Sequence, residues 1–276
     1  MSTPSSVHHV AVGDTRLAVH TAGSGVPLLL LHGFPLDHGM WVAQEPLADH
    51  LRLVAPDQRG FGASGGPGPA SIEELADDAA ALLAALHCGP AVVCGLSMGG
   101  YVAQHLAVRH PDRVAALVLT DTKLEADTPE ARAARADLAA KAGRLGQAIV
   151  ADAMVPRLLA TSAEARARAG RAAIEAALRA AILRQPIATI QAALAALAAR
   201  PDMSAALRSV RVPTLLVVGA EDAITPPACM EAALEVLPHA RLLVVPHAGH
   251  MTPLEAPAVF NRAVLEFLAE ARVHPG

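Results

Sequence analysis

The chain has 276 residues, of which 53% are hydrophobic, enough for one large α/β domain whose sheet is buried on both faces. The formal net charge of −4 is slight, and without a basic stripe or an aromatic platform it argues against nucleic-acid partners.

In chain order, Val7–Val12 and Arg16–Thr21 alternate apolar and polar residues around Gly13-Asp14, which predicts an antiparallel hairpin. Leu28–Leu31 opens the parallel part. A helix is expected near Met40–His50, followed by a strand over Leu51–Ala55. Asp57–Pro69 is rich in glycine and proline and predicts irregular loop. Ser71 reads as an N-cap, with Glu73 and Glu74 in the first turn of a helix reaching about Leu86. Ala91–Cys94 reads as a buried strand, Met98–Arg109 as a helix and Val114–Leu119 as the next strand.

From about Thr122 to Ser209 the alternation stops, and alanine, leucine and arginine dominate. Helix starts are expected at Thr128-Pro129, at Ser162 running toward Arg184, and at Pro186 ending near Pro201. Strands resume with Val212–Gly219 and Arg241–Val245. Strands alternating with helices predict a mostly parallel sheet covered on both sides. The helical stretch, 122–209, then becomes a cap inserted after the sixth strand, over the C-terminal edge of a core made of 1–121 and 210–276. No cationic stretch followed by an apolar core opens the chain, and Val26–Leu31 is far too short to span a bilayer, so no membrane contact and a cytoplasmic location are expected. Cys88, Cys94 and Cys229 have no metal-ligand spacing and read as reduced structural thiols, with no metal site.

Chemistry concentrates at the strand ends. Gly95-Leu96-Ser97-Met98-Gly99 sits where a strand must turn sharply into a helix, which forces the serine outward above the sheet edge. A nucleophilic serine needs a base, the base an orienting acid, and the developing oxyanion needs donors. Val212–Gly219 empties into Ala220-Glu221-Asp222, and Arg241–Val245 into Pro246-His247-Ala248-Gly249-His250. Ser97, Asp222 and His250 thus follow the Ser, Asp, His chain order of one fold family and not the orders of the chymotrypsin or subtilisin folds. His247 and Asp121 are the rival base and acid; Asp57 and Arg59 read as structural loop residues and Glu221 as facing solvent. Leu28–Leu31 runs into His32-Gly33-Phe34-Pro35, a loop able to present a backbone N–H toward the serine.

On these motifs, together with Asp57-Gln58-Arg59-Gly60-Phe61-Gly62-Ala63-Ser64, the chain resembles the α/β-hydrolase fold family over nearly its whole length. The resemblance implies Ser97 as nucleophile, His250 as general base and acid, Asp222 as its orienting carboxylate, and the backbone N–H groups of Phe34 and Met98 as the oxyanion hole. It implies hydrolysis of small to medium carboxylic esters through an acyl-enzyme, with no cofactor. His32 is expected to support its loop. Few aromatic residues are available, and Trp41, Met154, Leu158, Leu159, Ile224 and Met251 are the expected lining of a modest apolar pocket.

Two finer resemblances lead to other substrates. Asp37-His38-Gly39-Met40-Trp41 resembles enol-lactonases acting on 3-oxoadipate enol-lactone, whose carboxylate would need a cation such as Arg157 or Arg132. His32-Gly33-Phe34-Pro35-Leu36 is similar to the oxyanion loop of cofactor-free perhydrolases, or haloperoxidases. A non-catalytic binding module of this fold would lack a triad member, and all three are present.

Overall fold

The computed structural model describes residues 6–273, and in it the apolar runs align as a single eight-stranded sheet. β1 (Ser6–Val12) and β2 (Thr15–Ala22) form the expected antiparallel hairpin, and β2 is also antiparallel to β4 (Arg52–Pro56). From β4 onward the sheet is parallel, through β3 (Pro27–Leu31), β5 (Ala91–Leu96), β6 (Val114–Thr120), β7 (Thr214–Gly219) and β8 (Arg241–Val245). The spatial order is β1-β2-β4-β3-β5-β6-β7-β8. β5 and β7 are buried at every residue, as parallel strands covered on both faces must be.

That order reverses at β3, because the chain steps to β4 on one side and then crosses back to β5 on the other. In open parallel sheets the crevice at such a reversal, outside the carboxyl ends of the strands, is where ligands bind. Leu31 is paired with Gly95, so the loop after β3 and the turn after β5 flank that crevice. The pairing continues through Leu96 with Thr120, Thr120 with Val217, and Gly219 with Val245. Ser97, Asp121, Asp222 and His250 therefore all follow strands that end on one edge of the sheet.

α1 (Ile72–Ala85) begins as expected: Ser71 accepts the Glu74 N–H, with two glutamates in the first turn. α2 (Met98–Arg109) packs against α1 and the sheet. Residues 38–49 depart from the expected helix near Met40–His50. They wind in tight 3-10 turns, and Pro46 within them has no N–H to give an α-helical ladder.

Between β6 and β7 run α3 (Pro129–Leu145), α4 (Gln147–Leu158), α5 (Ala163–Arg166), α6 (Arg171–Leu183), α7 (Ile187–Ala199) and α8 (Ser204–Leu207). α3 starts at Thr128, which accepts the Ala131 N–H. The helix expected from Ser162 to Arg184 is two helices, α5 and α6, broken at Gly170 with φ +83°. This segment meets the core at the loops that follow strands. Thr189 Oγ1 donates to the Gly60 carbonyl at 3.0 Å, the Gly62 N–H donates to Gln185 Oε1 at 2.9 Å, and Arg184 lies 2.7 Å from Asp37. α9 (Pro227–Val236), α10 (Thr252–Glu255) and α11 (Pro257–Glu270) complete the chain. Among the described residues no single helix is long and apolar enough to cross a membrane.

Candidate active site

β5 ends at Leu96 and α2 begins at Met98, so Ser97 makes the whole turn, with φ +54° and ψ −111°. An L-residue adopts that conformation only where its surroundings enforce it. Here they do: a Cβ on Gly99 would stand 2.0 Å from the Leu31 carbonyl oxygen, and one on Gly95 2.0 Å from that of Gly99. The Ser97 N–H donates to the Thr120 carbonyl at 3.0 Å, and Thr122 Oγ1 donates to the Ser97 carbonyl at 2.9 Å. The Met98 N–H opens α2 and has no acceptor within the helix, at an end that favours negative charge.

Asp222 and His250 meet under the neighbouring loops. His250 Nδ1 lies 2.7 Å from Asp222 Oδ2, with both side chains nearly inaccessible to solvent. That bond places a proton on Nδ1 and leaves Nε2 as the basic nitrogen. Asp222 Oδ1 accepts the N–H groups of Ile224 and Thr225 at 2.8 and 3.0 Å, and Thr225 Oγ1 donates to Oδ2 at 2.7 Å. Thr225 was not among the expected site residues, although an aspartate capping the amides two and three positions on is a readable local pattern. Burial disfavours a charge on Asp222, but the His250 charge and these donors outweigh it and hold the carboxyl below the usual range. Burial also opposes an imidazolium at 250; Asp222, bonded to the ring, and then Asp121 overcome it and raise its pKa.

Asp121 makes no hydrogen bond to His250 among the described residues. It accepts instead the N–H groups of Gly219 and Thr252 and the Thr252 hydroxyl. Burial, and then the charge of Asp222, push its pKa up to about 7. Two neighbouring carboxyls are thus driven apart, and the one on the imidazole ionises first. His247 is half exposed, 3.7 Å from Glu221. His32 is buried, with Nε2 accepting the Gln58 N–H and Nδ1 3.0 Å from the Gly33 carbonyl, which holds the β3 loop as expected. Glu221 does not simply face solvent: its Oε2 accepts the N–H groups of Thr161 and Ser162 at 2.9 and 2.8 Å.

A cavity of about 540 Å³ lies between α3, α4 and α7 on one side and the strand-end loops on the other, within the usual range of small-ligand sites. Phe34, Tyr101, Ile224 and Thr225 form its core side, next to the turn at Ser97 and to Asp222, while Leu138, Ile149, Met154 and Leu194 make an aliphatic wall. Of the expected lining residues, Met154 and Ile224 are there. Trp41, Leu158, Leu159 and Met251 are not: all four are buried in packing, Trp41 with its ring 6.4 Å from that of Phe260. Lys123, Arg135, Lys141 and Arg157 bring positive charge to the cavity. Lys123 and Arg135 pair with Asp127, and Lys141 pairs with Asp137. Arg157 has no ion-pair partner among the described residues, and Arg132 does not reach the cavity.

Asp37, His38 and Asp57 bring three potential metal-ligating atoms within 4.8 Å of one another. Their oxygens are already engaged: Asp37 by Arg184 and the Gly39 N–H, Asp57 by His38 and the Ala63 N–H. The cluster is an ion-paired anchor for the loops after β3 and β4.

A strained serine on a strand-to-helix turn, a buried carboxylate–imidazole pair and a cavity at the sheet reversal define a hydrolase of the α/β type. The family model described as alpha/beta hydrolase fold matches residues 26–257, and the chain belongs to that family. It is 34% identical over 257 residues to a pimeloyl-[acyl-carrier protein] methyl ester esterase of Chromobacterium violaceum, covering 92% of this chain and 98% of that one. It is 30% identical to 3-oxoadipate enol-lactonase 2 of Acinetobacter baylyi, over 91% of this chain and 92% of that one. Among solved structures, a thermophilic esterase from Thermogutta terrifontis superposes with a TM-score of 0.90 at 39% identity, covering 97% of this chain and all of that one.

Proposed function

We propose that the protein hydrolyses carboxylic esters and lactones of small to medium size, with Ser97 as nucleophile, His250 as general base and acid, and Asp222 as the carboxylate that orients the imidazole. The observation that carries this reading is the buried 2.7 Å contact between His250 and Asp222, below the same sheet edge as the positive-φ serine. His250 Nε2 removes the Ser97 proton as Oγ attacks the acyl carbon. Asp222 keeps the proton on Nδ1 and stabilises the imidazolium that forms. The N–H groups of Met98 and Phe34 hold the tetrahedral oxyanion, a donor pair of which each member is worth roughly 10²–10³ in turnover. His250 returns the proton to the leaving alcohol, and water activated by the same imidazole cleaves the acyl-enzyme. Residues 122–209 act as the cap that closes the site from above, and its helices α3, α4 and α7 supply the aliphatic wall facing the acyl group.

The relatives support this substrate class, one as a methyl ester esterase, one as an enol-lactonase and one as an esterase. A panel of p-nitrophenyl esters of increasing chain length tests it. Wild-type protein turns over the short and medium esters, and Ser97→Ala lowers kcat by at least about 10⁴-fold. Undiminished turnover in Ser97→Ala overturns the assignment.

One observation favours a narrower reading, a substrate that carries a carboxylate: Arg157 lines the cavity with no ion-pair partner among the described residues. On that reading Arg157→Ala raises KM for an anionic lactone and leaves KM for a neutral aryl ester unchanged. A clear wild-type preference for the neutral ester removes it.

A further inference from the structure

Four residues, Leu159 to Ser162, join α4 to α5, and three consecutive N–H groups along them are bound by two carboxylates of the core. The Ala160 N–H donates to Glu255 Oε1 at 2.8 Å. The Thr161 and Ser162 N–H groups donate to Glu221 Oε2 at 2.9 and 2.8 Å. Neither glutamate was expected to bear on the site.

Their positions give the contact its meaning. Glu221 immediately precedes Asp222 in the chain. Glu255 has its second oxygen, Oε2, on the Gly249 N–H at 2.7 Å, and Gly249 immediately precedes His250. The two carboxylates therefore grip the strap with one hand and the acid and base loops with the other. Contact is also direct: a Cβ on Gly249 would stand 2.5 Å from the Ala160 nitrogen and 2.7 Å from the Leu159 carbonyl carbon, so the backbones touch.

The opposite face of the strap is held by arginines of the inserted segment. Arg171 Nη1 donates to the Ala160 carbonyl at 2.6 Å and lies 3.9 Å from Glu255 Oε1. Arg166 Nε donates to the Thr161 carbonyl at 2.9 Å, and Arg168 donates to the Glu255 carbonyl. Glu255 is almost fully buried, so losing its partners would leave a desolvated charge. At its other end the strap continues α4, whose Met154 and Arg157 line the cavity.

We propose that Glu255 and Glu221 are positioning residues that make alignment of Asp222 and His250 depend on the seating of the 159–162 strap. The cap wall and the proton-relay pair are then one mechanical unit: an acyl group that settles α4 also settles the loops carrying the acid and the base. A displacement of about 1 Å at reacting groups is enough to cost up to roughly 10²-fold in rate. This rests on the ester-hydrolase reading above.

Glu255→Gln keeps the side-chain shape but puts an NH₂ group where one of its two oxygens accepts an N–H, and Glu221→Ala removes the single oxygen that accepts both the Thr161 and Ser162 N–H groups. Active sites are counted by the p-nitrophenol burst from a p-nitrophenyl phosphonate, and kcat per titrated site and KM are measured on p-nitrophenyl acetate. Leu207→Ala, at the one buried position of α8 and away from the strap, serves as the destabilised control. The expected result for both variants is kcat per titrated site lowered roughly 10- to 100-fold with KM nearly unchanged, while the control loses Tm and keeps its kcat per site. Should Glu255→Gln not fold, Glu221→Ala, at the more accessible contact, decides alone. Wild-type kcat per site in the folded Glu255→Gln and Glu221→Ala variants overturns the inference and leaves the ester-hydrolase reading standing. A wild-type protein with no titratable site overturns both.

Discussion

At the residue scale the site is a matter of which charges burial permits. His250 sits where an isolated imidazolium would be disfavoured, and it is the Asp222 carboxylate, seconded by Asp121, that raises its pKa. With His250 as the proposed general base, which works in its neutral form, activity is expected to fall as pH drops through the His250 pKa. The acid limb of kcat/KM should lie above the ordinary histidine value of about 6.5. Asp222→Asn removes the main raising influence and leaves burial, so the limb moves to lower pH. It also frees the wrong tautomer, and kcat drops by about 10⁴-fold. A pH–rate profile of both proteins checks this; a limb that stays in place would mean that Asp222 does not govern the base. The turn at Ser97 and the pairing of Asp222 with His250 were readable because each residue follows an apolar run, in a fixed chain order. The pocket was not readable in the same way. Trp41, Leu158, Leu159 and Met251 are as apolar as Met154 and Ile224, and nothing local tells a residue facing a cavity from one facing the core.

At the scale of elements, the turn between β5 and α2 is built by exclusion. Gly99 runs so close to the Leu31 carbonyl that Gly99→Ala places a methyl group in contact with backbone that has nowhere to move. Overpacking of a core commonly costs about 1–3 kcal/mol, and this contact should exceed that range. Thermal unfolding of Gly99→Ala is expected to show a large fall in Tm or no cooperative transition; a Tm within a few degrees of wild type would mean that β3 and α2 approach less closely than described. The strands and α1 were legible because an apolar run between turn signals, or Ser71 with two glutamates behind it, leaves little choice. Of the inserted helices the starts at Thr128, Ser162 and Pro186 were legible, but the starts of α4, α6 and α8 and the helix lengths were not. Gly146 and Gly170 end α3 and divide α5 from α6 through positive φ, and an alanine-rich composition hides such breaks because it favours helix on either side. The 3-10 winding of residues 38–49 was hidden similarly, behind an apolar pattern that suits an α-helix and a Pro46 that does not.

At the scale of the whole molecule, the site lies where it does because the strand order reverses at β3. That reversal opens a crevice between the β3 loop and the β5 turn, and the parallel register delivers Asp222 and His250 to the same edge. The segment between β6 and β7 closes over it through polar contacts with loops: Arg184 on Asp37, Thr189 on Gly60, and the 159–162 strap on Glu221 and Glu255. Beneath the cavity, Asp127 is held by Arg135 and by buried Arg200, whose guanidinium lies 4.1 Å from the Tyr101 ring centroid, so α3, α7 and α2 share one ionic knot. The alternation of strand and helix made the core visible in the sequence. The sign and position of charges in the cavity depended on which arginines found partners, and that is decided only by folding.

The central claim is that Ser97 is the nucleophile of this arrangement, and covalent labelling tests it most directly. Incubation with a p-nitrophenyl phosphonate, followed by peptide mapping by mass spectrometry, should find one phosphonyl group per chain, on Ser97, formed in step with loss of esterase activity and absent in Ser97→Ala. Esterase activity lost with the label on another residue, or retained with Ser97 fully modified, would contradict it.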